Sequence, residues 1–368
     1  MIIVIADDIT GAAEMAGLAF EHGLETTMVL DFEQGVPGTD VVVVATDTRQ
    51  MTGQQAADTT ARLMRQCREA CHRHQQNGQH PPTVVFKKTD SALRGHVMAE
   101  LRAALSSSPY KKALFLPANP SRGRVVKDGV YYCGGIPISQ TDFAFDPEFP
   151  ALTDSMALRF PEAVEWGITM PDAVTTDEVR AAVEACTDDT LLAGAADLFE
   201  ALLLSRGHQP EARRGLMTLG AGAAIVVGGS TQCRRFPAQL PTVMMPLGVY
   251  DGTADARAWI EEAMPVYRHH RRVALYIPFR HLTGKPVAMR LRQTTAIVVQ
   301  ALIEARLPST LVVEGGATAY SCLDALGWRQ FTIAEVYAPG VVRMTTPQGV
   351  NVVLKPGSYP WPQGGRKG

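Results

Sequence analysis

Ile2-Ile3-Val4-Ile5-Ala6-Asp7-Asp8-Ile9-Thr10-Gly11-Ala12-Ala13 opens on an unbroken apolar run and turns, through two acids, into a helix-forming stretch. A strand that is apolar at every position has no solvent face, so it belongs in a sheet covered on both sides. The helical pattern over residues 12–20 supplies the first cover.

The same rhythm repeats downstream. Residues 26–30 and 41–45 read as buried strands and residues 54–76 as a polar helix; a strand at 83–86, a helix at 96–105 and a strand at 114–117 follow. Residues 122–150 break the pattern with glycines, aromatics and prolines, a loop-rich flap in which 131–137 has the look of a hairpin. A helix at 173–186, a strand at 191–194 and a helix at 196–204 lead to the polar stretch 205–215, the best linker candidate. Strands at 223–230, 242–246, 273–277 and 310–313, with helices at 254–264 and 289–305, then form a second series. The expected fold is therefore α/β in two domains, 1–215 and 222–362, each a mostly parallel sheet flanked by helices. A chain of 368 residues exceeds what one core usually serves, which agrees with two domains.

Composition narrows the function. With 35 Lys+Arg against 37 Asp+Glu, the net charge of −2 gives no field to hold nucleic acid or an anionic membrane. No apolar stretch approaches the length of a membrane span. The start lacks a basic leader and the six cysteines are scattered, so a reducing cytoplasm is expected. Cys67, Cys71, His72 and His74 sit in a strongly polar helix, more a solvated face than a zinc site. The basic run 267–272 reads likewise as a helix end.

The motifs that carry chemistry fall where strands end, which is where open α/β sheets bind ligands. At Asp7-Asp8, an acidic pair can accept a hydrogen bond from a substrate hydroxyl, act as a base or hold a metal ion. Asp8 or Thr10 can equally serve as a plain helix cap. Lys88-Thr89-Asp90-Ser91-Ala92-Leu93-Arg94-Gly95-His96 crowds charge into one turn, with Arg94 shaped for a carboxylate and Lys88 for a phosphate or carboxylate. Pro117-Ala118-Asn119-Pro120-Ser121-Arg122-Gly123-Arg124 is a less specific loop with arginines that could reach an anion. Farther on, Gly228-Gly229-Ser230 and Glu314-Gly315-Gly316-Ala317-Thr318 offer backbone N–H groups and a hydroxyl after strands, a combination suited to phosphate. Neither is a Walker A loop, and the first strand is not followed by a dinucleotide fingerprint, which disfavours a nicotinamide-dependent dehydrogenase.

Taken in order, Ala-Asp-Asp-Ile-Thr-Gly-Ala, Lys-Thr-Asp-Ser-Ala-Leu-Arg-Gly, Pro-Ala-Asn-Pro-Ser-Arg-Gly-Arg, Gly-Gly-Ser and Gly-Gly-Ala-Thr resemble the four-carbon acid sugar kinase family over nearly the whole chain. That resemblance implies a sugar-acid-binding amino-terminal domain and a nucleotide-binding carboxy-terminal one, phosphorylating threonate-, erythronate- or 3-oxo-tetronate-like substrates with ATP. Mg²⁺ is the expected cofactor beside ATP, and no metal ligand is assigned. Asp7 and Asp8 take the catalytic role, either of them orienting or deprotonating the hydroxyl. Thr10, Lys88, Asp90, Ser91, Arg94, Asn119 and Arg124 form the substrate side, with Arg94 the expected carboxylate clamp. Gly229, Ser230, Gly315, Gly316, Ala317, Thr318 and Gly357 form the ATP side. The ending Ser358-Tyr359-Pro360-Trp361-Pro362 departs from the small, glycine-rich family ending, which keeps a non-catalytic sugar-acid sensor as the alternative. The expected partners are the sugar acid and ATP, with no nucleic acid and no membrane; a homodimer is admitted.

Overall fold

All five residues of β1 (Ile2–Ala6) are buried, and the strand hydrogen-bonds in parallel to a neighbour on each side. In this computed structural model the described residues are 1–76, 84–146, 148–211, 214–229, 236, 239–278, 284–357 and 361–362. They form two compact units, Met1–Glu211 and Ala212–Gly368, so the division falls inside the polar stretch 205–215.

In the first unit β1 is followed by α1 (Ile9–Glu21), β2 (Thr26–Val29), β3 (Val41–Ala45), α2 (Gly53–Gln76), β4 (Val84–Lys88), α3 (Val97–Ser106) and β5 (Lys112–Leu116). An excursion then carries β6 (Arg124–Lys127), β7 (Val130–Cys133), β8 (Ile136–Pro137), α4 (Met156–Arg159) and β9 (Ile168–Thr169). The chain returns through α5 (Thr176–Glu184), β10 (Thr190–Gly194) and α6 (Ala196–Ser205). Among the described residues the strands run in the order β2-β3-β1-β4-β10-β5-β9, every pair parallel. The chain leaves β1 toward β2 and β3 and comes back to β4 on the other side. Order therefore reverses at β1, which makes its carboxyl end the crevice of the sheet. The flap is a small antiparallel sheet of β6, β7 and β8, with the expected hairpin turning between Cys133 and Ile136.

The second unit contains β11 (Ala224–Gly228), β12 (Thr242–Met244), α7 (Leu247–Asp251), α8 (Ala256–His270), β13 (Arg272–Tyr276), α9 (Lys285–Ala305), β14 (Thr310–Glu314), α10 (Gly316–Ala325), β15 (Gln330–Ala338), β16 (Val341–Thr345) and β17 (Asn351–Lys355). Within this unit β12-β13-β11-β14-β17 are parallel, and β16 and β15 continue antiparallel from β17. The expected series of strands ends at 310–313 and does not include these last three strands. Helix α8 also outruns its expected end at 264, passing Pro265 to reach His270. Its buried Trp259, Ala263 and Tyr267 make one stripe four residues apart, and burial of that stripe offsets the backbone bond that Pro265 cannot make. The basic residues 268–270 lie in its last turn, where the helix dipole favours cations. Among the described residues no helix is long and apolar enough to cross a membrane.

At Gly194, where β10 passes β5, a Cβ would lie 2.1 Å from the Leu116 carbonyl oxygen and 2.8 Å from Leu198. Backbone cannot yield as a side-chain tip can. Gly194→Ala is expected to destabilise the first unit by about 1–3 kcal/mol, whereas Gly38→Ala, with nothing within 4 Å, should be near neutral. Urea unfolding midpoints of the two variants check this.

Candidate functional site

Register brings Ala6, Ala45 and Lys88 level in three adjacent parallel strands, so the residues that follow each strand meet at one edge. Asp7 and Asp8 follow β1. Asp8 is the N-cap of α1, its Oδ1 accepting from the Gly11 N–H at 2.9 Å and its Oδ2 from the Thr10 hydroxyl. The capping reading of Asp8 is thus realised, with Thr10 as its support.

Arg49, in the turn Thr48–Gln50 beyond β3, holds the acids together. Its Nε and Nη2 both donate to Asp7 Oδ2, at 2.9 and 2.7 Å. The same guanidinium reaches Asp8 Oδ1 at 3.2 Å and Oδ2 at 3.3 Å, and lies 3.6 Å from Asp90 Oδ1. The two aspartates respond differently. Burial raises the Asp7 carboxyl, with Arg49 only partly opposing it, and among the described residues its Oδ1 is buried without a hydrogen-bond partner. For Asp8, burial pushes upward as well, but Arg49, the Thr10 hydroxyl and Lys88 outweigh it and hold the carboxyl below its ordinary value. The Asp8 side chain is also the more open, 16% exposed against 2% for Asp7.

The turn after β4 closes on itself. Arg94 donates from Nε and Nη2 to the two oxygens of Asp90 at 2.7 and 3.1 Å, and Asp90 also accepts from the backbone N–H groups of Ala92 and Arg94. Despite burial, Arg49 and Arg94 hold the Asp90 carboxyl far below the usual carboxylate range. The arginine expected to be a free clamp therefore has an internal partner, with Asp146 of the flap 3.8 Å away as well. Lys88 is buried, donates to the Thr89 carbonyl at 2.7 Å and lies 3.8 Å from Glu14. Arg124 donates to the Ser91 hydroxyl and stacks over Phe143 of the flap, 5.4 Å from the ring centre; Arg94 approaches the same ring at 5.9 Å. Tyr131 donates its hydroxyl to the Ser91 and Pro117 carbonyls, fixing the flap to the turn. Among the described residues Arg124 has no carboxylate within ion-pair distance, which leaves it the least committed cation here. Asn119 does something else: its Oδ1 accepts from the Asp197 N–H at 2.9 Å, while Asp197 accepts from Ser121, so this side chain ties its loop to the start of α6. His96 hydrogen-bonds the Met51 carbonyl and packs edge-on to Phe149.

In the second unit, register sets Gly228, Glu314 and Lys355 level, so Gly229, Gly315 and Gly357 follow neighbouring strands at one edge. A Cβ on Gly229 would fall 2.4 Å from Thr318 Oγ1 and 2.6 Å from the Glu314 carbonyl oxygen. Gly315 has φ of 101°, a value that L side chains rarely adopt, and begins α10 without a side-chain cap. A helix start with no side chain of its own N-cap on its first N–H groups is the arrangement that suits an anion. Thr318 donates its hydroxyl to the Gly229 carbonyl at 3.0 Å, while Gly316 and Ala317 form the first turn. Gly357 is exposed with nothing within 4 Å of a Cβ. Ser230 lies outside the described residues, as do the side chains of Cys71, His72 and His74. Beneath the glycines Lys355 donates to Glu314 Oε1 at 2.6 Å, an ion pair with side chains 0% and 1% exposed, and Trp361 covers the ammonium at 5.0 Å.

Of the residues singled out from sequence, Asp7, Asp8, Thr10, Lys88, Asp90 and Arg94 lie in one cluster, and Ser91 links Arg124 to it. Arg49, Tyr131, Phe143 and the Glu314–Lys355 pair were not foreseen. Arg49 carried one usable signal, its place just beyond a buried strand.

Two family models match this chain. One, described as a sugar-binding N-terminal domain, covers residues 2–159; the other, described as a nucleotide-binding C-terminal domain, covers residues 250–359. Gly229 and Ser230 fall between them. The chain is 25% identical to the D-threonate kinase of Salmonella typhimurium, over 92% of this chain and 89% of that protein. It is 25% identical to the 3-oxo-tetronate kinase of Methylobacterium radiotolerans, over 96% and 95%. A crystal structure of a Haemophilus influenzae protein, 19% identical, matches with a TM-score of 0.71 over 98% of this chain and 97% of that one, a likeness of fold.

Lys355→Met should strand Glu314 as a buried charge and cost about 3–5 kcal/mol. Adding Glu314→Gln should recover part of that loss. Denaturant unfolding of the single and double variants checks both; equal stability of Lys355→Met and wild type would refute the pairing.

Proposed function

Because the chain belongs to the four-carbon acid sugar kinase family, we propose that it transfers the terminal phosphoryl group of ATP to a hydroxyl of a four-carbon sugar acid such as a threonate or a 3-oxo-tetronate. The first unit binds the sugar acid and the second binds ATP. The observation that carries the reading is the pair of strand-edge clusters: an ionised, partly open Asp8 among cations in one unit, and an uncapped helix start behind paired glycines in the other.

In the transfer, the acceptor oxygen bonds to the γ-phosphorus as the bond from that phosphorus to the β,γ-bridging oxygen breaks, and ADP leaves. The hydroxyl proton passes to Asp8. A carboxylate held below its ordinary range is a weak base, but phosphoryl transfer asks chiefly for alignment and charge neutralisation, so Asp8 mainly orients the hydroxyl. Asp7, deeply buried against Arg49, anchors rather than reacts. Arg124, with Arg94 and Lys88 nearby in the fold, supplies positive charge for the substrate carboxylate, with Ser91 positioning Arg124. Gly315, Gly316, Ala317 and Thr318 hold phosphate oxygens through backbone N–H groups, with Gly229 and Gly357 at the same strand edge; Ser230 is assigned to ATP from the sequence motif alone. A cavity of about 450 Å³ on the β12–β13 side, lined by the apolar Phe236, Leu240, Pro241 and Tyr276 and the polar Gln239 and Thr242, offers room of mixed character for the base.

Mg²⁺ supplies charge neutralisation on the phosphates when bound. Asp7, Asp8 and Asp90 do not make a cage for it as arranged, because the Arg49 guanidinium already sits between them. The nucleotide phosphates would carry most of its coordination, as is usual for this ion.

Purified protein should consume ATP with at least one four-carbon sugar acid in a panel of stereoisomers. Sugar-acid binding without ATP binding or consumption would make the chain a sensor instead. Asp8→Asn keeps the helix cap and should lower kcat by about 10²–10⁴-fold at near-normal thermal stability. Asp8 titrates below its ordinary value, so wild-type activity should stay flat through neutral pH and fall only in acid, as this carboxylate takes up a proton. A rate that rises steeply between pH 6 and 8 would point to a histidine instead.

A further inference from the structure

We propose that Arg49 is a positioning residue for this transfer: its guanidinium divides the adjacent aspartates into a buried anchor, Asp7, and an acceptor-facing carboxylate, Asp8, and fills the place between Asp7, Asp8 and Asp90. The inference rests on the kinase reading above, in which Asp8 meets the substrate hydroxyl.

Geometry makes the case. The backbone N–H of Arg49 donates to the Asp7 carbonyl at 3.2 Å, so the turn beyond β3 is pinned to the end of β1 before its side chain is considered. Asp47, with φ of 52°, bends the chain into that turn. The side chain is only 12% exposed and spends Nε and Nη2 on one oxygen of Asp7, while Nη1 and Nη2 reach both oxygens of Asp8. With one oxygen tethered on Asp7 and two on Asp8, neither carboxylate can rotate independently.

Charge around Asp8 comes from several elements. Asp7 precedes it just beyond β1 and Glu14 lies on α1; Lys88 ends β4, and the turn beyond adds Asp90 and Arg94. Arg94 is engaged with Asp90, and Lys88 with a backbone carbonyl and Glu14. Among the described residues Arg49 is therefore the cation in direct contact with Asp8. Three acids within 3.6 Å of one guanidinium are tolerable only while that guanidinium is present. A lysine ammonium is a point charge without the planar fork, so it could pair with Asp7 and leave Asp8 loose.

The test uses Arg49→Lys and Arg49→Ala in the full chain, with aspartate carboxyl carbons labelled for NMR titration and Asp8 identified by its missing signal in Asp8→Asn. Asp8 is expected to titrate at higher pH in both variants, more so in Arg49→Ala. In Arg49→Lys, kcat should fall about 10²-fold, with the KM for ATP unchanged and the acid limb of the rate profile displaced upward with the titration. Added guanidinium should restore part of the activity of Arg49→Ala. A folded Arg49→Lys whose Asp8 titration and kcat both match wild type overturns the proposal. A displaced Asp8 titration in a protein whose wild type consumes no ATP with any sugar acid shows the hold on Asp8 to be real and the kinase reading to be at fault.

Discussion

Parallel pairing of one buried strand with two neighbours is the constraint on which the first unit depends. Because β3, β1 and β4 run the same way in register, their carboxyl ends stop at the same level, and whatever follows each strand is delivered to a common edge. Acids from the first, an arginine from the second and a charged turn from the third converge there without any of them being close in sequence. A charge deep inside the sheet is costly unless it is paired, so polar chemistry gathers at the strand ends, where Lys88 closes β4 and Asp7 follows β1.

Once gathered, these groups must neutralise one another. Burial penalises every carboxylate in the cluster, and the outcome depends on how much cationic contact each receives. Asp90 receives two arginines and two backbone N–H groups and is held strongly ionised; Asp8 receives Arg49, Thr10 and the nearby Lys88 and is held ionised. Asp7, the deepest, shares one oxygen with Arg49 and carries Asp8 as a like-charged neighbour, so its carboxyl moves the other way. Adjacent identical residues thus acquire opposite electrostatic behaviour from placement alone, a division that lets one serve as scaffold and the other meet a ligand.

The second unit applies the same parallel logic with a different content. Glycines follow β11 and β14 because backbone and Thr318 approach too closely for a side chain at Gly229, and because Gly315 turns through a left-handed conformation. The ion pair between Glu314 and Lys355 cross-links the two strand ends that carry Gly315 and Gly357. A buried pair of this kind is weak evidence for added stability, since desolvation offsets its attraction, but removing one partner is costly, and so it fixes which strands are neighbours.

The sequence alone determined the α/β class, the two series of strands and the strand-end motifs, because burial on two faces and helix periodicity are local patterns written in consecutive residues. It also marked Asp7, Asp8, Lys88, Asp90 and Arg94, since acids and bases crowded at the end of an apolar run are conspicuous. It did not mark Arg49 or Lys355, which look like ordinary polar residues until register sets them beside Asp7 and Glu314. Mixed polar and apolar residues left β15 without a clean period, and the short apolar runs of β16 and β17 remained unassigned. Tertiary structure decided which aspartate is open, that Arg94 is tied to Asp90 while Arg124 is not paired with an acid among the described residues, and that Asn119 braces α6. Those outcomes depend on distances between residues tens of positions apart, and a carboxylate's charge state depends on its surroundings rather than its neighbours in the chain.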